Sequence, residues 1–184
     1  SSALKRIVLP RGLETIGDSA FAWAANLTEV DLGGATTIGV YAFQKTPALK
    51  TVNMRTDLNR LKEIGSLAFY ESGLVEATLP DSVTAIRSGA FSGNEKLLKV
   101  RLGSGLSVLE ENVFYGTPQL REMTVAQGNQ TFSAEGNMLY AKRSDGVHLI
   151  RSAPGDHTPE RRVKDGVTAI DESAFADNAK LQKL

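Results

Sequence analysis

Two histidines and 21 acidic side chains are the groups in this 184-residue chain that could move protons or ligate a metal. His148 stands in an apolar alternation, Val147-His148-Leu149, and reads as a partly buried or strand-edge side chain. His157, within Gly155-Asp156-His157-Thr158-Pro159, reads as a solvated loop residue. The chain has no cysteine, which removes thiolate ligands, a thiol nucleophile and any disulfide framework. No His-Glu-x-x-His motif, nucleophile elbow or phosphate loop occurs. Gly103-Ser104-Gly105 lacks the third glycine of a dinucleotide fingerprint and fits a turn, and Glu110-Glu111 fits a solvated face. A Ser-His-Asp triad assembles in space rather than in sequence, so an enzyme here would have to use His148 or His157. The expectation is no catalytic residue, no metal and no cofactor.

Recognition of another molecule is the chemistry that remains, and charge narrows it. Lys plus Arg and Asp plus Glu both number 21, so the formal net charge is zero. That balance offers no electrostatic footprint for nucleic acid or an anionic membrane. No apolar run approaches the ~18–20 residues that span a bilayer, so no membrane insertion is expected of this segment. With 41% hydrophobic and 23% charged residues, the composition is that of a folded globular chain.

The elements that would carry a recognition surface repeat. Phe21, Phe43, Phe69, Phe91 and Phe114 follow one another at 22, 26, 22 and 23 residues. Five residues before each stands an aliphatic residue: Ile16, Ile38, Ile64, Ile86 and Leu109. Ala20, Ala42, Ala68, Ala90 and Val113 immediately precede the rings. A leucine follows each ring and opens a segment Leu-x-x-h-x-h, with h apolar, as in Leu27-Thr28-Glu29-Val30-Asp31-Leu32. Leu4 to Leu9 supply a first copy, and Ile170, Ala174-Phe175 and Leu181 a late one.

A period near 23 residues suits one coil of a solenoid, whose apolar face is buried only by its neighbours. The alternating h-x-h segment predicts a short strand, and stacked copies predict a continuous parallel ladder. The Ile-x-x-x-Ala-Phe segment, with polar openers such as Asp18-Ser19 and Glu172-Ser173, predicts a short helical return turn. The repeats fall near 4–26, 27–48, 49–73, 74–96 and 97–119. A copy at 120–125 runs into an insertion at 126–162, and a final repeat occupies 163–184.

The stretch Leu74-Val75-Glu76-Ala77-Thr78-Leu79-Pro80-Asp81-Ser82-Val83-Thr84-Ala85-Ile86-Arg87-Ser88-Gly89-Ala90-Phe91 resembles the BspA-type leucine-rich repeats. The resemblance covers nearly the whole chain. It departs where many members carry a cysteine near the positions of Asn26, Asn94 and Asn178. The likeness implies an α/β, right-handed leucine-rich-repeat solenoid with a parallel strand ladder, short return helical turns and one β-hairpin insertion. It also implies an extracellular or cell-surface bacterial protein that attaches to host matrix or plasma proteins.

Two surfaces are candidates for that contact. On the strand face, the third and fifth positions of Leu-x-x-h-x-h point outward: Arg6, Glu29, Asp31, Asn53, Glu76, Thr78, Lys99, Arg101, Glu122 and Thr124. Lys99 and Arg101 should lie beside Glu76 and Glu122 on neighbouring coils, in reach of cross-strand ion pairs. In the insertion, Asp145-Gly146 lies near the tip of a hairpin between Met138–Lys142 and Val147–Arg151. The insertion is first a variant of the repeat and second a protruding contact element with Tyr140, Arg143, Asp145 and His148. The chain starts inside a strand pattern and stops at Leu181-Gln182-Lys183-Leu184, the opening of another, so a longer array is expected. The alternative to a protein-binding adhesion module is a spacer array that displays another domain and binds nothing.

Overall fold

Six of the Leu-x-x-h-x-h segments form short strands on one face of a solenoid. The computed structural model describes residues 3–178. Ser1, Ser2 and residues 179–184, including the strand opening expected at Leu181, lie outside the described residues. The face is built from β1 (Arg6–Val8), β3 (Glu29–Asp31), β5 (Thr51–Asn53), β7 (Glu76–Thr78), β9 (Lys99–Leu102) and β11 (Glu122–Val125). Between them run two-residue strands that begin each return: β2 (Thr15–Ile16), β4 (Thr37–Ile38), β6 (Glu63–Ile64), β8 (Ala85–Ile86) and β10 (Val108–Leu109). Pairing is parallel in both sets.

The five phenylalanines stack inside the coils. Consecutive ring centroids lie 5.0, 5.1, 5.3 and 5.9 Å apart with nearly parallel planes. Ala42, Ala68 and Ala90 are fully buried beside Phe43, Phe69 and Phe91. A larger side chain there would hold neighbouring backbones apart, which explains the small residue before each ring. Each ring removed from water contributes roughly 1.5–3 kcal/mol.

Two expectations are corrected. The return segments hold no helix among the described residues, so the fold is an all-strand solenoid rather than α/β. The reason is a pair of left-handed residues flanking each ring at two residues on either side. They are Ser19 and Trp23, Tyr41 and Lys45, Leu67 and Glu71, Gly89 and Gly93, Asn112 and Gly116, and Ser173 and Asp177. A residue at positive φ cannot continue a right-handed helical turn. Gly89 and Gly93 take this conformation freely, whereas Trp23 (φ 63°) and Leu67 (φ 54°) are strained there. The turn amides bond across coils instead: Phe43 to the carbonyl of Ala68 at 2.7 Å, and Phe69 to that of Ala90 at 2.8 Å. Asp18, expected to cap a helix, accepts from the Val40 amide of the next coil at 2.7 Å.

The strand-face ladder is also not continuous. It divides into β1-β3-β5 and β7-β9-β11, while the return-side ladder β2-β4-β6-β8-β10 runs unbroken. The break falls at the repeat of 26 residues, whose extra loop carries left-handed Arg55 and Asn59. Arg55 ties that loop to the first panel through Asp31 at 3.4 Å and to Asp57 at 2.8 Å.

The insertion folds as β12 (Phe132–Glu135), β13 (Met138–Arg143) and β14 (Gly146–Ser152), an antiparallel unit that β15 (Val167–Ile170) joins in parallel. Strand alternation gives this sheet two apolar faces. Leu139, Ala141 and Ile150 close the end of the phenylalanine core. Met138, Tyr140 and Leu149 pack under Val163, Ala174 and Phe175 of the last coil.

Candidate functional site

Register places the outward residues of the strand face in rows. Arg6, Glu29 and Thr51 align, as do Asp31 and Asn53, on the first panel. On the second, Glu76, Lys99 and Glu122 align, as do Thr78, Arg101 and Thr124. The ion pairs expected there form in part. Lys99 meets Glu122 at 3.1 Å, while Arg101 turns to Asp81 at 3.7 Å and to the Leu79 carbonyl at 3.4 Å. On the first panel Arg6 meets Glu29 at 3.2 Å, and Asn53 donates to Asp31 at 3.0 Å. The charged groups of these pairs are 42–64% exposed except at Asp31, so each ion pair is worth well under ~1 kcal/mol and leaves its groups open to a partner.

The insertion candidates separate. Tyr140 is 1% exposed, with Lys164 Nζ 4.2 Å from its ring centre, and burial pushes its phenol up. It is a core residue, because alternation turns Met138 and Tyr140 toward the last coil. Arg143, Asp145 and His148 come together at the hairpin tip. His148 is buried, with Nδ1 2.7 Å from Asp171 Oδ1 and 2.8 Å from an Arg143 guanidinium nitrogen. Its Nε2 lies 3.0 Å from Asp145 Oδ1, and Arg143 also meets Asp171 Oδ2 at 2.7 Å. Arg143 can only donate to Nδ1 and an ionised Asp171 can only accept from it, so the two compete for that nitrogen. Neither ring nitrogen bonds a hydroxyl, so the cluster lacks the nucleophile–base contact of acyl transfer and works as a clasp between hairpin and last coil. His157 is an exposed loop residue. Among the described residues no group of three or more His, Asp or Glu side chains could hold a metal, and no helix is long and apolar enough to cross a membrane.

Sequence reasoning missed four features. Asp171 lies 23 residues from His148, one repeat period, which is the signal that could have paired them. Arg151 is buried and donates to the Phe114 carbonyl and to Asp177, both at 2.9 Å, joining the end of the stack to the last coil. A cleft of about 480 Å³ opens beside it, bounded by Glu110, Tyr115, Arg143, Arg151, Asp171 and Glu172. Exposed aromatic residues, absent from the strand face, stand on the return turns: Trp23 at 65%, Tyr115 at 50% and Tyr41 at 38%. Lys45 covers the Trp23 ring at 4.5 Å.

Comparison with known proteins agrees with this architecture. Six copies of the BspA type leucine-rich repeat region match, over residues 1–63 and 14–140. The chain belongs to the BspA-type leucine-rich repeat family. A leucine-rich repeat protein from Eubacterium ventriosum ATCC 27560 superposes with a TM-score of 0.85 at 21% identity, over 96% of this chain and 46% of that one. Pneumococcal vaccine antigen PcpA gives 0.69 at 18% identity, over 98% and 54%. A leucine-rich cell surface protein from Faecalibacterium prausnitzii A2-165 gives 0.55 at 23% identity, over 96% and 62%. These identities establish a shared fold, and the BspA-type chain spans between 46% and 62% of the length of those three structures. No curated protein matches.

Proposed function

We propose that this BspA-type array is a non-enzymatic protein-binding module of adhesion type, displayed at a bacterial surface or secreted. Its partner is a protein ligand, such as a host extracellular matrix or plasma protein. The observation that carries the reading is the second strand panel, where Glu76, Lys99, Arg101 and Glu122 form a flat, half-exposed field of both signs. Such a field steers and orients a protein partner by complementary charge, and its loose ion pairs are given up at small cost. Two of the similar structures are described as a cell surface protein and a vaccine antigen, which supports the location.

Biolayer interferometry against matrix and plasma proteins, with Lys99→Glu/Arg101→Glu as the paired variant, tests it. The expected result is saturable binding that falls at least about tenfold in the variant, at an unchanged melting temperature. Binding that survives the reversal moves recognition off Lys99 and Arg101, and its loss in Arg143→Ala/Asp145→Ala would then place it on the hairpin insertion. No binding to any partner makes the array a spacer.

A further inference from the structure

The break between β5 and β7 is an open pair of strand edges in the middle of the array. At the regular coils, the amides of Thr28, Lys50, Leu98 and Arg121 donate to the carbonyls of Lys5, Thr28, Val75 and Leu98 at 2.7, 3.0, 2.8 and 3.0 Å. The equivalent amide of Val75, and that of Glu76 beside it, has no such bond to β5. At the other end of the strands, Leu9, Leu32 and Leu79 donate to Asp31, Asn53 and Arg101, whereas Met54 donates to no residue of β7. The same two coils stay closed on the turn side. There Phe43 and Lys45 donate to Ala68 and Tyr70 at 2.7 and 2.8 Å, and the Phe43 and Phe69 rings are 5.1 Å apart. The coils therefore diverge as a wedge, sealed at the turns and open at the strand face.

The opening is a cavity of about 380 Å³ lined by Lys50, Thr51, Val52, Val75, Glu76 and Thr78. Val52 is half-buried, while Val30 and Val100 at the same position of other coils are 0% and 2% exposed. Neighbouring backbone groups of a strand point to opposite sides. Because the Thr51 amide is bonded to the Thr28 carbonyl immediately before β3, the Val52 amide and carbonyl face the opening. Because Leu79 is bonded to β9, Glu76 and Thr78 turn their backbone groups into it from the other lip.

We propose that an extended peptide segment of a partner protein docks here by adding a strand along β7. Its backbone would pair with Glu76 and Thr78 over the apolar floor of Val52 and Val75. Free strand edges recognise this chemistry through main-chain bonds, with side-chain pockets setting the sequence. The lips specify charge: an acidic residue beside Lys50 and a basic one beside Glu76 complete the fit. Those charges also keep the edge from pairing with a second copy of the chain. The inference shares with the strand-face reading only that the partner is a protein, and it places contact in the seam rather than on Lys99 and Arg101.

Amide exchange of the free, intact chain by NMR is the first arm of the test. The Glu76 and Thr78 amides are expected to exchange at least about tenfold faster than those of Glu29 and Glu122. Equal protection would mean a closed ladder and would overturn the proposal. The second arm selects phage-displayed random dodecapeptides on the same protein. Selected peptides should slow the Glu76 and Thr78 amides. They should bind Glu76→Pro at least about tenfold more weakly, Glu76→Ala only about two- to threefold more weakly, and Lys99→Glu/Arg101→Glu nearly as well as wild type. Proline deletes a donor that serves no ladder bond, so Glu76→Pro should keep its melting temperature. If that variant unfolds, the bound-state exchange of wild type decides alone. Failure to select any peptide, or peptides that bind Glu76→Pro undiminished, would overturn the proposal. Loss of binding in Lys99→Glu/Arg101→Glu with Glu76→Pro unaffected would instead return recognition to the strand face.

Discussion

The array from Phe21 to Phe114 and the junction from Phe132 to Asn178 solve one problem, how a coil covers its neighbour, by opposite means. In the array the cover is translation. Each ring sits 5.0–5.9 Å above the last, and Phe43, Phe69 and Phe91 are fully buried. In the junction the antiparallel hairpin interrupts that translation, and the next ring in the repeat position, Phe175, comes 61 residues after Phe114. The seam is then held by directed polar contacts. Arg151 bridges Phe114 and Asp177, His148 is clasped among Arg143, Asp145 and Asp171, and Arg161 bonds Ser152, Ala153 and Asp156. Apolar stacking needs only repetition of size, whereas a one-off interface needs bonds that exist in one geometry.

Phe91→Ala should sharpen the contrast most. It empties the centre of the stack between Phe69 and Phe114 and should cost roughly 3–5 kcal/mol in urea unfolding, independent of pH and salt. Arg151→Met keeps most of the volume but removes the buried donor that links the Phe114 carbonyl to Asp177, leaving them with Thr117 and Gly116 alone, at about 1–3 kcal/mol. A cost for Arg151→Met equal to that of Phe91→Ala would break the comparison, because the junction would then anchor the whole fold.

The smallest expected effect concerns acid. Burial alone would raise the Asp156 carboxyl, but hydrogen bonds from Asn137 and from the Thr158 side chain and amide, with Arg161 nearby, hold it below its ordinary value. A depressed folded pKa stabilises above the ordinary value near 3.8, and that stabilisation is lost as pH falls through the lower folded value. Asp156→Asn should cost a few tenths to about 1 kcal/mol at neutral pH and flatten the decline in urea midpoint between about pH 5 and pH 2. An unchanged acid profile would show that the 153–158 loop does not contribute to the junction.

The repeat, the inward rings, the outward rows and the hairpin were all legible, because each depends on spacing within one coil or one turn; the hairpin turns at Ser144-Asp145, one residue before the Asp145-Gly146 signal. The helical return was a misreading with a physical source. Gly89, Gly93 and Gly116, and more weakly Asn112 and Asp177, advertise the left-handed positions, while Trp23, Tyr41 and Leu67 adopt them without any local sign. Neighbouring coils impose that conformation, since the turn amides find their carbonyls one coil away.

The sequence by itself determined that this is a BspA-type solenoid with a hydrophobic stack and a two-signed strand face, since period and alternation suffice for that. Tertiary structure alone decided where the strand-face ladder is interrupted. The 26-residue spacing was in view, but that the ladder opens between β5 and β7 depends on how neighbouring coils pack. It alone decided, too, that His148 meets Asp171 and Arg151 meets Phe114. Those contacts join residues a full coil or more apart, and no local preference encodes a distance that only packing sets.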